Sequence, residues 1–482
     1  MKAIKSIIVW IMVLALAATL PLSALAEAAA PTEMGQPPEG MPEGGAPGGS
    51  GMGQPPEGGA PGMGGGFGGS TSPGGGSGDF EYAAATEITE ATDEADGVYS
   101  SETADESALI VNTDEDVTLE NITVTKTGSS NGGDNCNFYG LNAAVLAMGG
   151  ATTTITGGTI TSDADGANGV FSYGGDGGQN GAEGDGTTVV ISDATITTTG
   201  NGSGGIMTTG GGTTYAYNLN VTTSGGSSAP IRTDRGGGTV YVDGGTYTSN
   251  GLGSPAIYST ADITVENATL ISNLSEGVCI EGKNSITLNN CDLTADNTQC
   301  NGNATFLDSI MIYQSMSGDA DSGTSSFTMA GGSLTSRNGH IFHVTNTNAV
   351  ITLSGVTLVN EDEENVLISV CDDGWSGASN IAALNANDQV LEGAILVGDD
   401  STLTLNLTGG STLTGYVSGE IANSRGDTVS TEVGTVSVTL DETSTWTLTG
   451  DSYITEFNGD AANVIANGYT LYVDGVALEG TK

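Results

Sequence analysis

TTTITGGTIT (Thr152–Thr161), TVVISDATIT (Thr188–Thr197), GTVYVDGGTYT (Gly238–Thr248), ADITVENATL (Ala261–Leu270) and SITLNNCDLT (Ser285–Thr294) are variants of one unit, and their reading decides the fold. Each is an alternating apolar/polar strand, two turn residues and a short second strand. A third strand follows: GVFSYG (Gly169–Gly174), GGIMTTG (Gly204–Gly210), PIRTDRG (Pro230–Gly236), PAIYST (Pro255–Thr260), GVCIEG (Gly277–Gly282) and SIMIYQ (Ser309–Gln314). The apolar residue of the second strand falls at Val124, Ile160, Ile196, Val221, Tyr247, Leu270, Leu293, Leu334 and Leu358. Successive spacings are 36, 36, 25, 26, 23, 23, 41 and 24 residues. A unit of 23–26 residues holding three short strands predicts a parallel β-helix solenoid. A coil cannot bury its apolar face alone, so coils stack at about 4.8 Å, and eight steps give a rod of roughly 38 Å. Sandwich strands would not return with this three-strand beat.

Outward from the repeat, the chain changes material. Met1–Ala26 carries Lys2 and Lys5, the apolar run Ile7–Leu20 and Ala24-Leu25-Ala26, the pattern of a secretory signal peptide. Pro21 ends the run too early for a transmembrane anchor. Residues 27–80 form a Gly/Pro/Met/Glu linker with MGQPPEG twice, from Met34 and Met52, too poor in apolar side chains to offset its chain entropy. The β-helix is expected over 81–388, with further β coils and a cap over 389–482.

Composition narrows function. Of 482 residues, 57 are Asp or Glu and 9 Lys or Arg, a net charge of −48 that becomes −50 once two lysines leave with the signal peptide. Recognition of nucleic-acid phosphates is excluded for want of a basic patch. The mature chain is expected outside the cell or on its surface, without membrane insertion.

The spacings that exceed the unit place insertions at about Lys126–Asn142, Gly174–Thr187, Ala295–Asp308 and Ser315–Ser325, all flanking the third strand. Loops on a rigid scaffold commonly carry binding residues. Alternation puts Val145, Val170, Ile206, Ile231, Ile257, Val278, Ile310 and Ile341 inward, and Leu146, Phe171, Met207, Arg232, Tyr258, Cys279, Met311 and Phe342 outward. Two residues on, the same outer side bears Tyr173, Asp234, Glu281 and Tyr313. Phe171, Tyr173, Arg232, Asp234, Tyr258, Glu281, Lys283, Tyr313 and Phe342 are thus the candidate glycan-binding set. Two outcomes are open: a sugar-stacking platform, or a face covered by the insertions or the N-terminal tail.

Arg232, Arg235 and Lys283 gather within three coils beside Asp234 and Glu281. A lyase on acidic sugars needs cations for the substrate carboxylate and a base for the α-proton. The competing reading is that these cations pair with Asp234 and Glu281 across coils. Asp163, Asp165, Asp319 and Asp321 stand two apart in Gly-containing loops, as hard-cation ligands do, so calcium is the expected ion. Glu361–Glu364 with Asp372 and Asp373 reads as a solvated loop. His340 and His343, three apart on a strand, are expected to face opposite sides. Cys136, Cys279, Cys291, Cys300 and Cys371 are odd in number; Cys291–Cys300 closes a short loop or both remain core thiols.

In its repeat, from about Val117 to Lys482, the chain resembles the secreted pectin-lyase-like right-handed parallel β-helix proteins, and TSTWTLTGDSYIT (Thr443–Thr455) is similar to the closing coils of bacterial β-helix adhesins. The resemblance implies an extracellular, carbohydrate-facing or adhesive protein. Some relatives are polysaccharide lyases; others bind acidic or cellulosic glycans with calcium. The expectation is a non-catalytic surface or adhesion-type protein whose partner is an extracellular glycan or a host surface. The alternative is a lyase or hydrolase of acidic polysaccharide using Arg232, Asp234, Arg235, Glu281 and Lys283.

Overall fold

The computed structural model describes residues 81–175 and 183–482; the expected signal peptide and linker, and the middle of the Gly174–Thr187 insertion, lie outside them. Nearly every strand pairing is parallel, between one coil and the next. Only two antiparallel pairs occur among the described residues, Ile421–Ala422 with Thr428–Ser430 and Leu471–Val473 with Val476–Ala477. The chain is a parallel β-helix. The third strands form one 13-stranded sheet, running from Ala83–Ile88 to Val417–Ser418. The first and second strands stack alongside it, and in Gly212–Thr223 and Gly238–Ser249 they run together as single long strands.

All nine apolar markers of the second strand lie in one register, Val124 on Ile160, Ile196, Val221, Tyr247, Leu270, Leu293, Leu334 and Leu358. They face inward with Val, Ile and Leu from the other two strands to make one continuous core. Parallel coils continue beyond Gln389: Thr412–Gly415 pairs with Thr445–Leu448, and buried Trp446 gives its indole N–H to Gly415 O at 3.1 Å.

The turn between first and second strands repeats a left-handed residue in register, including Asp96, Asn121, Gly157, Asp193, Asn218, Gly244, Asn267 and Asn290, with φ between 51° and 73°. Asn, Asp and Gly are the residues that tolerate this conformation. Their side chains also join coils: Asn121 Nδ2 donates to Asp96 at 2.6 Å, Asn218 to Asp193 at 2.7 Å and Asn290 to Asn267 at 2.9 Å. On the opposite edge a buried serine ladder does the same. The Oγ atoms of Ser203, Ser228 and Ser254 accept from Ala167, Ser203 and Ser228 N–H at 2.8–2.9 Å.

Candidate functional site

The outer face of the third sheet is covered. Leu146, Phe171 and Met207 pack under Phe138 and Tyr139, which the first insertion supplies from the short helix Asp134–Phe138 and the residue after it. Tyr258, Cys279, Met311 and Tyr313 pack under Ala304 and Trp375, with the Tyr313 and Trp375 ring centroids 4.9 Å apart. The apolar stripe is therefore a second, external core. Burying it offsets the ordering of the loops above it.

Phe342 departs from expectation. It pairs in register with Ile310 and Ile368 and points into the main core, and His343 takes the outward position beside Met311 and Ser369. Ile341 and Phe342 are both apolar, so alternation alone cannot set their phase; the neighbouring strand does. Nor do the two histidines face apart. Both Nδ1 atoms lie 2.7 Å from Ser369 Oγ. The Asp372–Asp373 segment is likewise engaged rather than solvated. Asp373 Oδ1 accepts from Thr305 N and Oγ1 at 2.8 and 2.6 Å, and its Oδ2 stands 3.4 Å from His343 Nε2. Burial acts to raise the Asp373 carboxyl, but hydrogen bonding to and the charge of His343, the Thr305 hydroxyl and the Gly374 N–H outweigh it and hold it below its usual range. Burial drives His340 down to about 3, keeping it neutral. Ser369 and His343 have no exposed surface, and Phe306 stacks on the His343 ring at 4.5 Å. This Ser–His–Asp grouping ties an insertion to the sheet.

The expected charged cluster does come together, but its cations are spent on protein carboxylates. Arg232 Nη2 meets Asp234, just past the end of its strand, at 2.7 Å, and its guanidinium lies 5.7 Å from the Tyr258 ring. Arg235 pairs with Asp319 through both Nε and Nη2, and stacks 4.1 Å above Phe138. Lys283 pairs with Asp321 at 2.8 Å. Glu281, 2% exposed, accepts from Tyr258 at 2.6 Å, Tyr313 at 3.1 Å and the hydroxyls of Ser315 and Ser317. Burial raises its carboxyl, and raises Asp234 to about 6 against the pull of Arg232. Residues 315–321 thus form a strap fastened by Glu281, Arg235 and Lys283.

The candidate metal ligands are engaged too. Asp163 accepts from the Thr199 hydroxyl and Asp165 from Asn201 N at 2.8 Å, both across one coil; Asp319 and Asp321 hold the strap cations. Among the described residues no group of three or more His, Cys, Asp or Glu side chains is arranged to hold a metal ion. All five cysteines are free, Cys291 being a core thiol 3.3 Å from Val265 O.

An open aromatic group lies elsewhere, on the outer face of the first sheet. Tyr215 and Tyr241 are register partners, and Tyr217 pairs with Asp243 one step along. Tyr215 and Tyr217 are each 37% exposed. Their ring centroids stand 6.3 and 6.2 Å from that of half-buried Tyr241, with planes tilted by 54° and 59°. Tyr241 donates to Glu266 at 2.8 Å, an interaction that, with partial burial, lifts the phenol to about 12. Asp262 and Asp243 border the rings. The group's signal in the sequence lies outside the third strands: along Gly212–Thr223, Tyr215 and Tyr217 alternate with buried Ala216.

No protein-family model, curated protein or solved structure matches the chain.

Proposed function

We propose that the protein is a secreted, right-handed, pectin-lyase-like β-helix that acts without catalysis as a surface or adhesion-type binder of extracellular glycan. Right-handedness follows from the rule for parallel crossovers. The contact face in this reading is the first sheet around Tyr215, Tyr217 and Tyr241, not the covered third-strand face. The single observation that carries it is this cluster of exposed rings, bordered by hydrogen-bonding carboxylates and amides, on a rigid sheet. Aromatic faces with polar neighbours are the usual chemistry of sugar recognition at a surface, and a rigid scaffold limits the ordering cost.

The engaged cations weigh against the lyase alternative: Arg232, Arg235 and Lys283 would each have to leave a carboxylate to meet a uronate. Calcium enters this reading as a diffuse counter-ion to the mature chain's net charge of −50. The test is binding to immobilised glycans by the chain and by Tyr241→Ala, run beside incubation with polygalacturonate and calcium. Glycan binding lost in Tyr241→Ala, with no unsaturated product, supports the proposal. Unsaturated product that disappears in Arg232→Ala, or glycan binding indifferent to Tyr241, overturns it.

A further inference from the structure

Resting on that reading, we infer that the tyrosine face selects sugars bearing free amino groups, an ammonium lodging between the tilted rings beside Asp243 and Glu266. Three observations lead there. A flat pyranose stacks best on a level ring, whereas Tyr241 is tilted by 54° and 59° to its neighbours, so the three rings offer no common plane. Centroids 6.2–6.3 Å apart let one small cation stand within reach of two ring faces at once. Such contacts strengthen as the cation is desolvated, and tilted rings shield it from more than one side.

The second observation is charge. Asp243 lies in the same outward column as Tyr217 on one side and Glu266 on the other. Asp243 Oδ1 accepts from Asn267 Nδ2 at 2.8 Å, and its other oxygen accepts no hydrogen bond among the described residues. Glu266 takes one bond on each oxygen, from Tyr241 and from Asn289, which leaves each oxygen able to accept another. Asp262, across from Thr239, and exposed Asp193, at the turn above, complete the ionisable neighbours from adjacent coils.

The third is what the face lacks. The seven basic residues beyond the signal peptide are Lys126, Arg232, Arg235, Lys283, Arg337, Arg425 and Lys482, and none lies in the first strand of a coil. A uronate approaching Tyr241 would meet the carboxylates of Asp193, Asp243, Asp262 and Glu266 and no cation. A neutral N-acetyl sugar would find hydrogen bonds but no use for the charge. A glucosamine-type ammonium satisfies the rings and the free Asp243 oxygen together, and the field of the whole acidic chain draws it in.

The experiment titrates the full chain with a β-1,4-glucosamine oligomer, its fully N-acetylated counterpart and a galacturonate oligomer of equal length. The expected result is glucosamine binding at least about tenfold tighter than the N-acetyl form. That margin should shrink as salt rises from about 50 to 500 mM, with no galacturonate binding. Tyr241→Ala keeps the net charge and removes the central ring; its loss of glucosamine binding separates this site from general attraction to an acidic protein. Asp243→Asn gives a second variant that keeps every ring. Equal binding of glucosamine and N-acetyl oligomers, both lost in Tyr241→Ala, overturns amine selectivity and leaves the glycan-binding proposal standing. Glucosamine binding unchanged in both variants overturns the site, and binding of none of the three overturns both readings.

Discussion

Tyr258 reaches diagonally across one coil to donate a 2.6 Å hydrogen bond to Glu281, and both side chains are buried. Glu281 has no cation on it, so burial raises its carboxyl, as burial does for Glu276 and Asp308. Asp234 is lifted to about 6. A carboxyl whose folded pKa exceeds its unfolded value binds a proton in the native state that the unfolded chain has released. Stability then falls as pH climbs from the unfolded value near 4 through the folded one. The melting temperature is expected to decline between about pH 5 and 7.5, Asp234 alone contributing on the order of 2 kcal/mol. Asp373, held low, works in the opposite sense but only toward acid. Glu281→Gln should flatten the decline in a pH series of thermal melts; an unchanged slope would count against the buried-acid account.

Arg235 pairs with Asp319 of the strap, 84 positions along the chain, and stacks on the ring of Phe138 in the first insertion. Arg235→Ala leaves Asp319 part-buried without its partner, at a cost of about 1–3 kcal/mol. Limited proteolysis is the sharper measurement. Cleavage next to Met316, already 65% exposed, should quicken several-fold while the coils stay intact. Arg235→Lys should rescue only partly, because a lysine cannot reproduce the two-nitrogen contact with Asp319 or the stacking on Phe138.

Tyr247 occupies the second-strand core column with no exposed surface, and its hydroxyl has no hydrogen-bond partner among the described residues. A buried, unpartnered hydroxyl is a net cost. Tyr247→Phe is therefore expected to stabilise the protein by about 1 kcal/mol, seen as a higher denaturant midpoint with unchanged m-value. A loss of stability would mean that the hydroxyl finds a partner.

The repeat made the core legible because inward positions recur with the coil: Val124 through Leu358 stack in the register their spacing implies. The insertions were legible as extra length, but their destination was not. Phe138 and Trp375 lie outside the repeating strands, where no periodicity runs, so nothing local says that they fold onto Phe171 or Tyr313. Ion pairing was similarly hidden. Arg235 with Asp319 joins an end-of-strand residue to an insertion, a pairing that no column count reaches. The tyrosine face was readable in principle, since Tyr215 and Tyr217 alternate with buried Ala216 in one strand.

Asn218 tests what holds the turns. Its φ is 51°, and its amide bonds Asp193 one coil away at 2.7 Å. Gly157 and Gly244 fill the same turn position in other coils, also with positive φ. Asn218→Gly keeps the conformation without strain and loses only an exposed hydrogen bond, roughly 0.5 kcal/mol. Asn218→Ala loses the same bond and forces a Cβ into the left-handed region, about 1 kcal/mol more. The usual preference for alanine over glycine should therefore invert, with Ala melting below Gly. Equal melting temperatures would show that the side-chain ladder, and not the backbone conformation, sets the turn.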